Sequence, residues 1–102
     1  MYSITFHEDV DKDFKELGHS ATILVFKKLK KVAQNPIIGD ELGNKANNNL
    51  VGFRKVYVDN KRVRIVYRII EDKIEVFVIS VGKRDDMEVY KKAFARRSKI
   101  GY

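Results

Sequence analysis

The hydrophobic and polar positions of the first fifty residues predict a strand, two helices and a loop. Residues 2–7 (YSITFH) alternate as in a short strand. A helix should follow, because Val10, Phe14 and Leu17 are apolar residues at helical spacing, and Gly18 should end it. A second helix should begin after an N-cap at Ser20 and end at the Asn-Pro pair that follows it. Residues 36–50 then have the composition of a loop.

The second helix is predicted to be amphipathic. Its apolar stripe consists of Thr22, Val25, Phe26, Leu29, Val32 and Ala33. Its lysines, which lie off this stripe, are Lys27, Lys28, Lys30 and Lys31. We interpret these lysines as a solvated helix face, with Lys30 and Lys31 placed to touch a long nucleic acid.

The second half of the chain predicts three strands and a helix, at residues 52–58, 62–70, 73–82 and 86–97. The order β-α-α-β-β-β-α indicates an α+β fold, in which an N-terminal strand and a helical hairpin pack on an antiparallel sheet. A chain of 102 residues has room for one modest core, so we expect a single domain spanning residues 1–102.

A two-residue turn at residues 59–60 (DN) would join the first two of these strands. The apolar face of this hairpin would hold Val56, Val58, Val63 and Ile65. Its other face would place Lys55 opposite Arg64, and Tyr57 opposite Arg62. Like charges directly across a ladder are destabilising unless they are solvated or a ligand supplies an anion. This cationic face is therefore a candidate anion site.

A second two-residue turn, at residues 71–72 (ED), would pair Arg68 with Glu75 as a structural ion pair. The central strand that follows should end sharply at Gly82, through backbone angles closed to other residues. Lys83 and Arg84 would then lie at the corner between the strand and the last helix.

The last helix has a recognisable start and an apolar stripe. Asp85 and Glu88 have the spacing of a capping box, so their place in the sequence is explained by the start of the helix and does not indicate a metal site. Tyr90 shares an i, i+3, i+7 stripe with Met87 and Phe94, which is as consistent with core packing as with a functional role.

Composition narrows the class of protein. The chain has no cysteine, which excludes disulfides and thiolate metal sites and suits a reducing cytoplasm. The N-terminal residues MYSITFHEDV do not resemble a signal peptide, and no apolar run approaches membrane-spanning length. We therefore expect a cytoplasmic protein with no membrane partner.

The net charge of +7 belongs entirely to the second half of the chain. Residues 1–50 carry seven Lys or Arg and seven Asp or Glu, whereas residues 51–102 carry fourteen and seven. A polyanion is the natural partner of such a half, although a solubilising surface charge is an equally good explanation from charge alone.

Several kinds of site are excluded. His7 and His19 both lie in the neutral half, and neither has metal-ligand spacing to another residue, so we expect no metal and no cofactor. No glycine-rich phosphate loop and no nucleophilic serine with an evident base is present. Lysine, arginine and tyrosine remain, and such a set can cleave RNA. It would align the 2′-hydroxyl with the phosphate, stabilise the phosphorane and transfer protons through Tyr or Lys.

Residues 50–90 (LVGFRKVYVDNKRVRIVYRIIEDKIEVFVISVGKRDDMEVY) resemble the C-terminal half of RelE-type toxins of the RelE/ParE superfamily. The segments RIVYRI, VFVISVGKR and EVY are the most specific. The resemblance implies a bacterial type II toxin that is held inactive by an antitoxin. It also implies that the toxin cuts mRNA in the ribosomal A site by 2′-hydroxyl attack. We expect the antitoxin to be acidic and to carry an amphipathic helix.

The resemblance also implies roles for individual residues. Lys55 and Arg64 would stabilise the phosphorane, Arg84 would support the leaving 5′-oxygen or its phosphate, and Tyr90 would accept the proton of the 2′-hydroxyl. The family often has a second lysine at the position of Tyr57.

The expected substrate-binding residues are Arg54, Tyr57, Arg62 and Lys83. Arg62 would restore the charge missing at Tyr57, or Tyr57 would stack on a base. Strand alternation places Arg54 on the opposite face unless a bulge intervenes.

The main alternative is a ParE-like gyrase poison on the same scaffold, which acts by binding and needs no catalytic set. An inactive scaffold that only binds its partner is a third possibility. The retained Arg64, Arg84 and Tyr90 favour the nuclease.

Overall fold

The computed structural model describes residues 1–45, 48–83 and 87–97. Its strands are β1 (Ser3–Phe6), β2 (Asp40–Glu41), β3 (Asn44–Lys45), β4 (Asn48–Asn49), β5 (Phe53–Val58), β6 (Val63–Ile70) and β7 (Glu75–Lys83). Its helices are α1 (Val10–Leu17), α2 (His19–Gln34) and α3 (Glu88–Arg97), with short 3₁₀ turns at Pro36–Ile38 and Glu71–Lys73. The seven predicted elements occur in the predicted order, and β2 to β4 lie within the predicted loop.

Five strands form one sheet in the order β1-β7-β6-β5-β2. The neighbours among β7, β6, β5 and β2 are antiparallel, as predicted. The N-terminal strand β1 joins the sheet parallel to β7, so the sheet is mixed. The α+β class is confirmed. No helix in the described part of the chain is long and apolar enough to cross a membrane.

The two faces of this sheet carry separate apolar clusters. The face under α1 and α2 buries Val10, Val25, Leu29, Val32, Val56, Val58, Val63, Ile65, Tyr67, Val76, Val78 and Val81. The face under α3 buries Leu42, Leu50, Phe53, Val66, Ile79, Val89, Tyr90 and Ala93. The predicted apolar face of the β5–β6 hairpin therefore lies under the helical hairpin. Each such buried aliphatic side chain stabilises the fold by roughly 1.5–3 kcal/mol.

The predicted register of the β5–β6 hairpin is wrong by two residues. Val58 pairs with Val63 and Tyr57 with Arg64. The turn therefore spans residues 59–62, with the left-handed conformation at residues 59, 60 and 61. A shift of two residues keeps every side chain on its predicted face, because side chains alternate with a period of two. The faces are thus right, but Lys55 does not lie opposite Arg64.

The predicted register of the β6–β7 hairpin is also wrong. Arg68 pairs with Phe77 and Ile70 with Glu75, so the proposed Arg68–Glu75 cross-strand pair is not formed in register. Tyr67 pairs with Val78 but Val66 pairs with Ser80, so β7 has one extra residue at this point, which is a β-bulge. The extra residue in β7 turns both Ile79 and Ser80 toward α3. The Ser80 hydroxyl donates a hydrogen bond of 2.8 Å to the Val89 carbonyl.

Gly18 forms the corner between the first two helices. It has a φ of 89°, ends α1 as predicted and immediately precedes α2. Helix α2 therefore begins at His19, and the predicted N-cap at Ser20 lies inside the helix. The Thr22 hydroxyl donates a hydrogen bond of 2.7 Å to the Gly18 carbonyl, which holds the corner from the first turn of α2.

Helix α3 buries a different stripe from the predicted one. Its buried residues are Val89, Tyr90, Ala93 and Arg96, whereas Met87 is 41% exposed and Phe94 37% exposed. Gly82 lies within β7 and its φ is not left-handed, so its predicted role is wrong. Gly82 instead allows α3 to pack closely on β7, because a Cβ at this position would lie only 3.1 Å from the Cβ of Val89. The proposed cap Asp85 lies outside the described residues.

A buried ion-pair network ties α1 to α3 across the end of β7. The Asp13 carboxylate, 1% exposed, accepts two hydrogen bonds from the Arg96 guanidinium, at 2.7 and 2.9 Å. It also accepts one from the backbone N–H of Val81, at 3.0 Å, and one from Lys92, at 3.2 Å. Arg96 in turn donates to the carbonyl of Ile79. This network fixes the helix that carries Tyr90 against the sheet.

Candidate active site

Lys55, Tyr57, Arg64 and Tyr90 converge on the α3 face of the sheet. Lys55 and Tyr57 are alternate residues of β5, so their side chains leave the same face. Arg64 of β6 lies directly opposite Tyr57 in the ladder. Helix α3 brings Tyr90 onto this face from above. Two consecutive strands and a helix further along the chain thus supply one cluster.

Lys55 and Tyr57 form the tightest contact of the cluster. The Lys55 ammonium donates a hydrogen bond of 2.6 Å to the Tyr57 hydroxyl and lies 4.2 Å from the centre of its ring. The pKa of Tyr57 is lowered from 10.0 to about 8, chiefly by the hydrogen bond from Lys55 and also by Arg64, against a smaller opposing effect of burial. The Tyr57 phenol therefore ionises much more readily than an ordinary tyrosine.

Arg64 lies between two aromatic rings. Its guanidinium carbon is 4.9 Å from the ring centre of Tyr90 and 5.8 Å from that of Tyr57. One terminal nitrogen makes a weak contact of 3.7 Å with the Met87 sulfur. Its Nε is buried and finds no acceptor among the described residues, and neither Lys55 nor Arg64 forms an ion pair with a described carboxylate. The cluster therefore keeps its positive charge and offers donors to an anion.

Tyr90 is a buried platform under Arg64. Its side chain is 2% exposed and belongs to the apolar cluster beneath α3. Burial raises the pKa of Tyr90, and the charges of Arg64 and Lys55 only partly offset this. A buried phenol with a raised pKa is poorly suited to accept a proton. The geometry therefore argues against the expected proton transfer by Tyr90 and favours a role in positioning Arg64.

The other predicted site residues lie elsewhere. Arg62 is an exposed residue of the 59–62 turn and is not paired with Tyr57, because β6 begins only at Val63. Lys83 lines a cavity with Leu17 on the face covered by the helical hairpin, so it does not join the cluster. Arg84 lies outside the described residues.

Arg54 has a structural position on the opposite face of β5, as strand alternation predicts. Its guanidinium donates a hydrogen bond of 2.8 Å to the Gly39 carbonyl and forms a 3.3 Å ion pair with Glu41. These contacts bind β5 to the segment that leads into β2. Arg54 is therefore unsuited to bind the substrate of the cluster.

Lysines of α2 border a groove beside β5, which is compatible with the solvated helix face that the sequence predicts. Three of the four, Lys27, Lys28 and Lys31, line a groove of about 550 Å³ between α2 and β5. Lys55, Tyr57 and Lys61 line the same groove. It opens where β2 stops pairing with β5, after Lys55. Sequence spacing could not place these lysines along the same groove as Tyr57, because they are about thirty positions away in the chain.

The arrangement suits the cleavage of RNA by its own 2′-hydroxyl. Lys55 and Arg64 offer fixed positive charge to a phosphorane, and such donors act most strongly where they are held in place before reaction. Tyr57 supplies an ionisable oxygen beside them. Among the described residues, no group of three or more His, Asp or Glu side chains is placed to hold a metal ion.

Comparisons with known proteins point in one direction. The sequence model of a family described as the ParE toxin of the type II toxin–antitoxin system parDE matches residues 4–88. The mRNA interferase toxin RelE of Escherichia coli (strain K12) is 36% identical over 98 residues, which cover 93% of this chain and 96% of RelE. The mRNA interferase RelE of Shigella flexneri matches with the same identity and coverage.

Solved structures give the same result. Free E. coli RelE carrying two arginine-to-alanine substitutions superposes with a TM-score of 0.69 at 34% identity, over 93% of this chain and 96% of that one. The toxin of the intact E. coli RelBE toxin–antitoxin complex superposes with a TM-score of 0.64 at 34% identity, over 81% of this chain and 96% of that one.

Proposed function

The chain belongs to the RelE/ParE superfamily of toxins, and we propose that residues 1–102 form one toxin domain that cleaves mRNA in the ribosomal A site. In this proposal the protein is the toxin of a type II toxin–antitoxin system and stops translation in the cytoplasm. An identity of 36% to a named mRNA interferase, over 93% of the chain, supports the nuclease branch.

The observation that carries the proposal is the unneutralised cluster of Lys55, Tyr57 and Arg64. The 2′-hydroxyl of the substrate attacks the adjacent phosphorus while Lys55 and Arg64 stabilise the added negative charge. Tyr90 holds the guanidinium of Arg64 through a cation–π contact. Arg84 supports the leaving 5′-oxygen, as the family resemblance implies. The products are a 2′,3′-cyclic phosphate and a free 5′-hydroxyl.

No metal takes part in this scheme, since fixed cations supply the charge that a metal ion would otherwise provide. Cleavage should therefore persist in EDTA when magnesium is kept only at the level that ribosome integrity requires. Loss of cleavage that one added trace metal restores would contradict this part of the proposal.

An acidic antitoxin is the expected partner. E. coli RelE forms a complex with its antitoxin RelB, and a partner of the same kind here would complement the net charge of +7. Its amphipathic helix would cover part of the exposed apolar surface.

The decisive experiment adds the purified protein to ribosomes programmed with a defined mRNA and maps the new 5′ ends. We expect cuts within the A-site codon. The matched variant Arg64→Ala should lose them, while Arg54→Ala, on the other face of the sheet, should keep them. Absence of cleavage by the wild-type protein would overturn the proposal.

The second candidate is a gyrase poison, which the match to the ParE family model favours. Such a toxin would stabilise double-strand breaks in a reaction that contains gyrase and supercoiled DNA. Breaks in that assay, together with intact mRNA on programmed ribosomes, would establish this alternative.

A further inference from the structure

Resting on the proposed nuclease function, we infer that Tyr57, as a phenolate held by Lys55, is the base that removes the proton from the attacking 2′-hydroxyl. This assignment departs from the role that the family resemblance implies for Tyr90. It also gives Tyr57 a chemical role at a position where the family often carries a lysine.

Position is the first argument. The Tyr57 hydroxyl is held 2.6 Å from the Lys55 ammonium, and its ring lies beside the Arg64 guanidinium. The two cations that would bind a phosphate therefore flank this oxygen. A ribose attached to that phosphate would present its 2′-hydroxyl close by. Tyr57 is only partly buried and lines the groove beside α2, so substrate can reach it.

The charges around Tyr57 favour its ionised form. Lys55 of β5 and Arg64 of β6 face it directly, and the buried phenol of Tyr90 lies on the α3 side. The charged groups that line the adjoining groove are Lys27, Lys28, Lys31 and Lys61, with Asp40 and Asp59 as the acids. Of the charged side chains named here, six are basic and two are acidic, so cations outnumber acids around the phenol. With its pKa near 8, Tyr57 is a phenolate in roughly a tenth of molecules at pH 7 and in half at pH 8.

The other candidates for the base are less suitable. Tyr90 is 2% exposed, and its phenol is shielded from a 2′-hydroxyl by its own burial. Lys55 is the donor in its hydrogen bond to Tyr57, and an ammonium has no free lone pair to accept a proton. His7 is buried between β1 and α1, where its Nδ1 accepts a hydrogen bond from the backbone N–H of Asp9.

The reaction balances with solvent as the proton reservoir. The Tyr57 phenolate takes the proton of the 2′-hydroxyl as the 2′-oxygen forms its bond to phosphorus. The bond from phosphorus to the 5′-oxygen then breaks, and that oxygen takes up a proton from solvent. Neutral Tyr57 finally returns its proton to solvent, and Lys55 again favours the phenolate.

Single-turnover cleavage of mRNA on programmed ribosomes, measured from pH 6 to 9, tests the inference. The wild-type rate should rise about tenfold per pH unit and level off near pH 8. Tyr57→Phe should lower the rate by about 10²–10⁴-fold and abolish this rise, as expected for the loss of a general base. Tyr57→Lys should restore part of the rate with a different pH profile. Tyr2→Phe, a remote change of the same kind, should behave as wild type.

A titration of the free protein separates this inference from the proposed function. Tyrosinate absorbs near 295 nm, so one of the five tyrosines should titrate near pH 8 in the wild-type protein and not in Tyr57→Phe. Wild-type protein that titrates in this way but cleaves no mRNA would overturn only the proposed function. Wild-type protein that cleaves mRNA, with Tyr57→Phe within threefold of its rate and showing the same pH rise, would overturn the inference.

Discussion

Replacing Asp13 with Asn should destabilise the protein more than any single charge removal on its surface. The carboxylate is 1% exposed and accepts four hydrogen bonds, from Arg96, Lys92 and the Val81 backbone. The asparagine amide keeps the shape but leaves Arg96, itself 7% exposed, without its counter-charge. Breaking a buried pair in this way costs about 3–5 kcal/mol.

The magnitude is large beside the total stability of a small domain, which is about 5–15 kcal/mol. With a urea dependence of about 1.5 kcal/mol per molar, the unfolding midpoint should fall by about 2–3 M. Asp11→Asn is the matched control, because it makes the same chemical change two residues away on the same helix. Asp11 is 78% exposed and pairs with Lys15 at 3.7 Å, so its loss should cost at most about 0.5 kcal/mol.

Urea unfolding followed by circular dichroism measures both variants. Adding Arg96→Met to Asp13→Asn should recover part of the lost stability, since it removes the uncompensated buried charge. Equal midpoints for Asp13→Asn and Asp11→Asn would refute the view that this network anchors α3 to the sheet.

Three further predictions concern the site and the loop beside it. Arg64→Ala should lower the single-turnover cleavage rate by about 10²–10³-fold. Arg54→Ala should lower the melting temperature and keep the cleavage rate. Equal rate losses in the two variants would contradict their assignment to opposite faces of the sheet. Tyr90→Phe keeps the ring under Arg64 and should stay within about tenfold of the wild-type rate; a loss on the 10²–10⁴ scale of a missing general base would return proton transfer to Tyr90. Tyr67→Phe should lower the free energy of unfolding by about 1–3 kcal/mol, because the buried hydroxyl donates to the Pro36 carbonyl and accepts from the Gly39 amide; an unchanged urea midpoint would refute this.

Side-chain alternation explains why the cationic face could be predicted although the register could not. Tyr57 was expected opposite Arg62 and lies opposite Arg64, because the connection has four residues instead of two. The two-residue turn was expected because Asp59 and Asn60 tolerate the left-handed conformation. Lys61 adopts this conformation as well, and its residue type gives no sign of that, so the sequence does not reveal the longer connection. The error of two residues preserved the faces and changed only the partners.

The buried network illustrates what sequence patterns miss. Asp13 lies in the charged run DKDFKE, which is typical of a solvated helix. Its partner Arg96 is 83 positions away, in a basic segment near the C-terminus. Only the fold brings the two together, so no periodicity or spacing could have paired them.

The roles within the cluster depend on burial, which the sequence predicts only coarsely. Tyr57 and Tyr90 are both tyrosines on predicted functional elements. The structure leaves one in contact with the groove and packs the other into the core beneath α3. Because burial raises the pKa of Tyr90 whereas Lys55 lowers that of Tyr57, the two phenols are suited to different tasks.

The most direct test of the account replaces one ribose. A programmed ribosome is given an mRNA with a single 2′-deoxynucleotide immediately 5′ of the cleaved bond, and cleavage is compared with that of the all-ribose message. If the 2′-hydroxyl is the nucleophile, the bond next to the deoxynucleotide should stay intact. As a control, an all-ribose codon placed in the A site of the same message should still be cut. Cleavage at the deoxy position would show that another nucleophile acts, and the function assigned to Lys55, Tyr57 and Arg64 would be wrong.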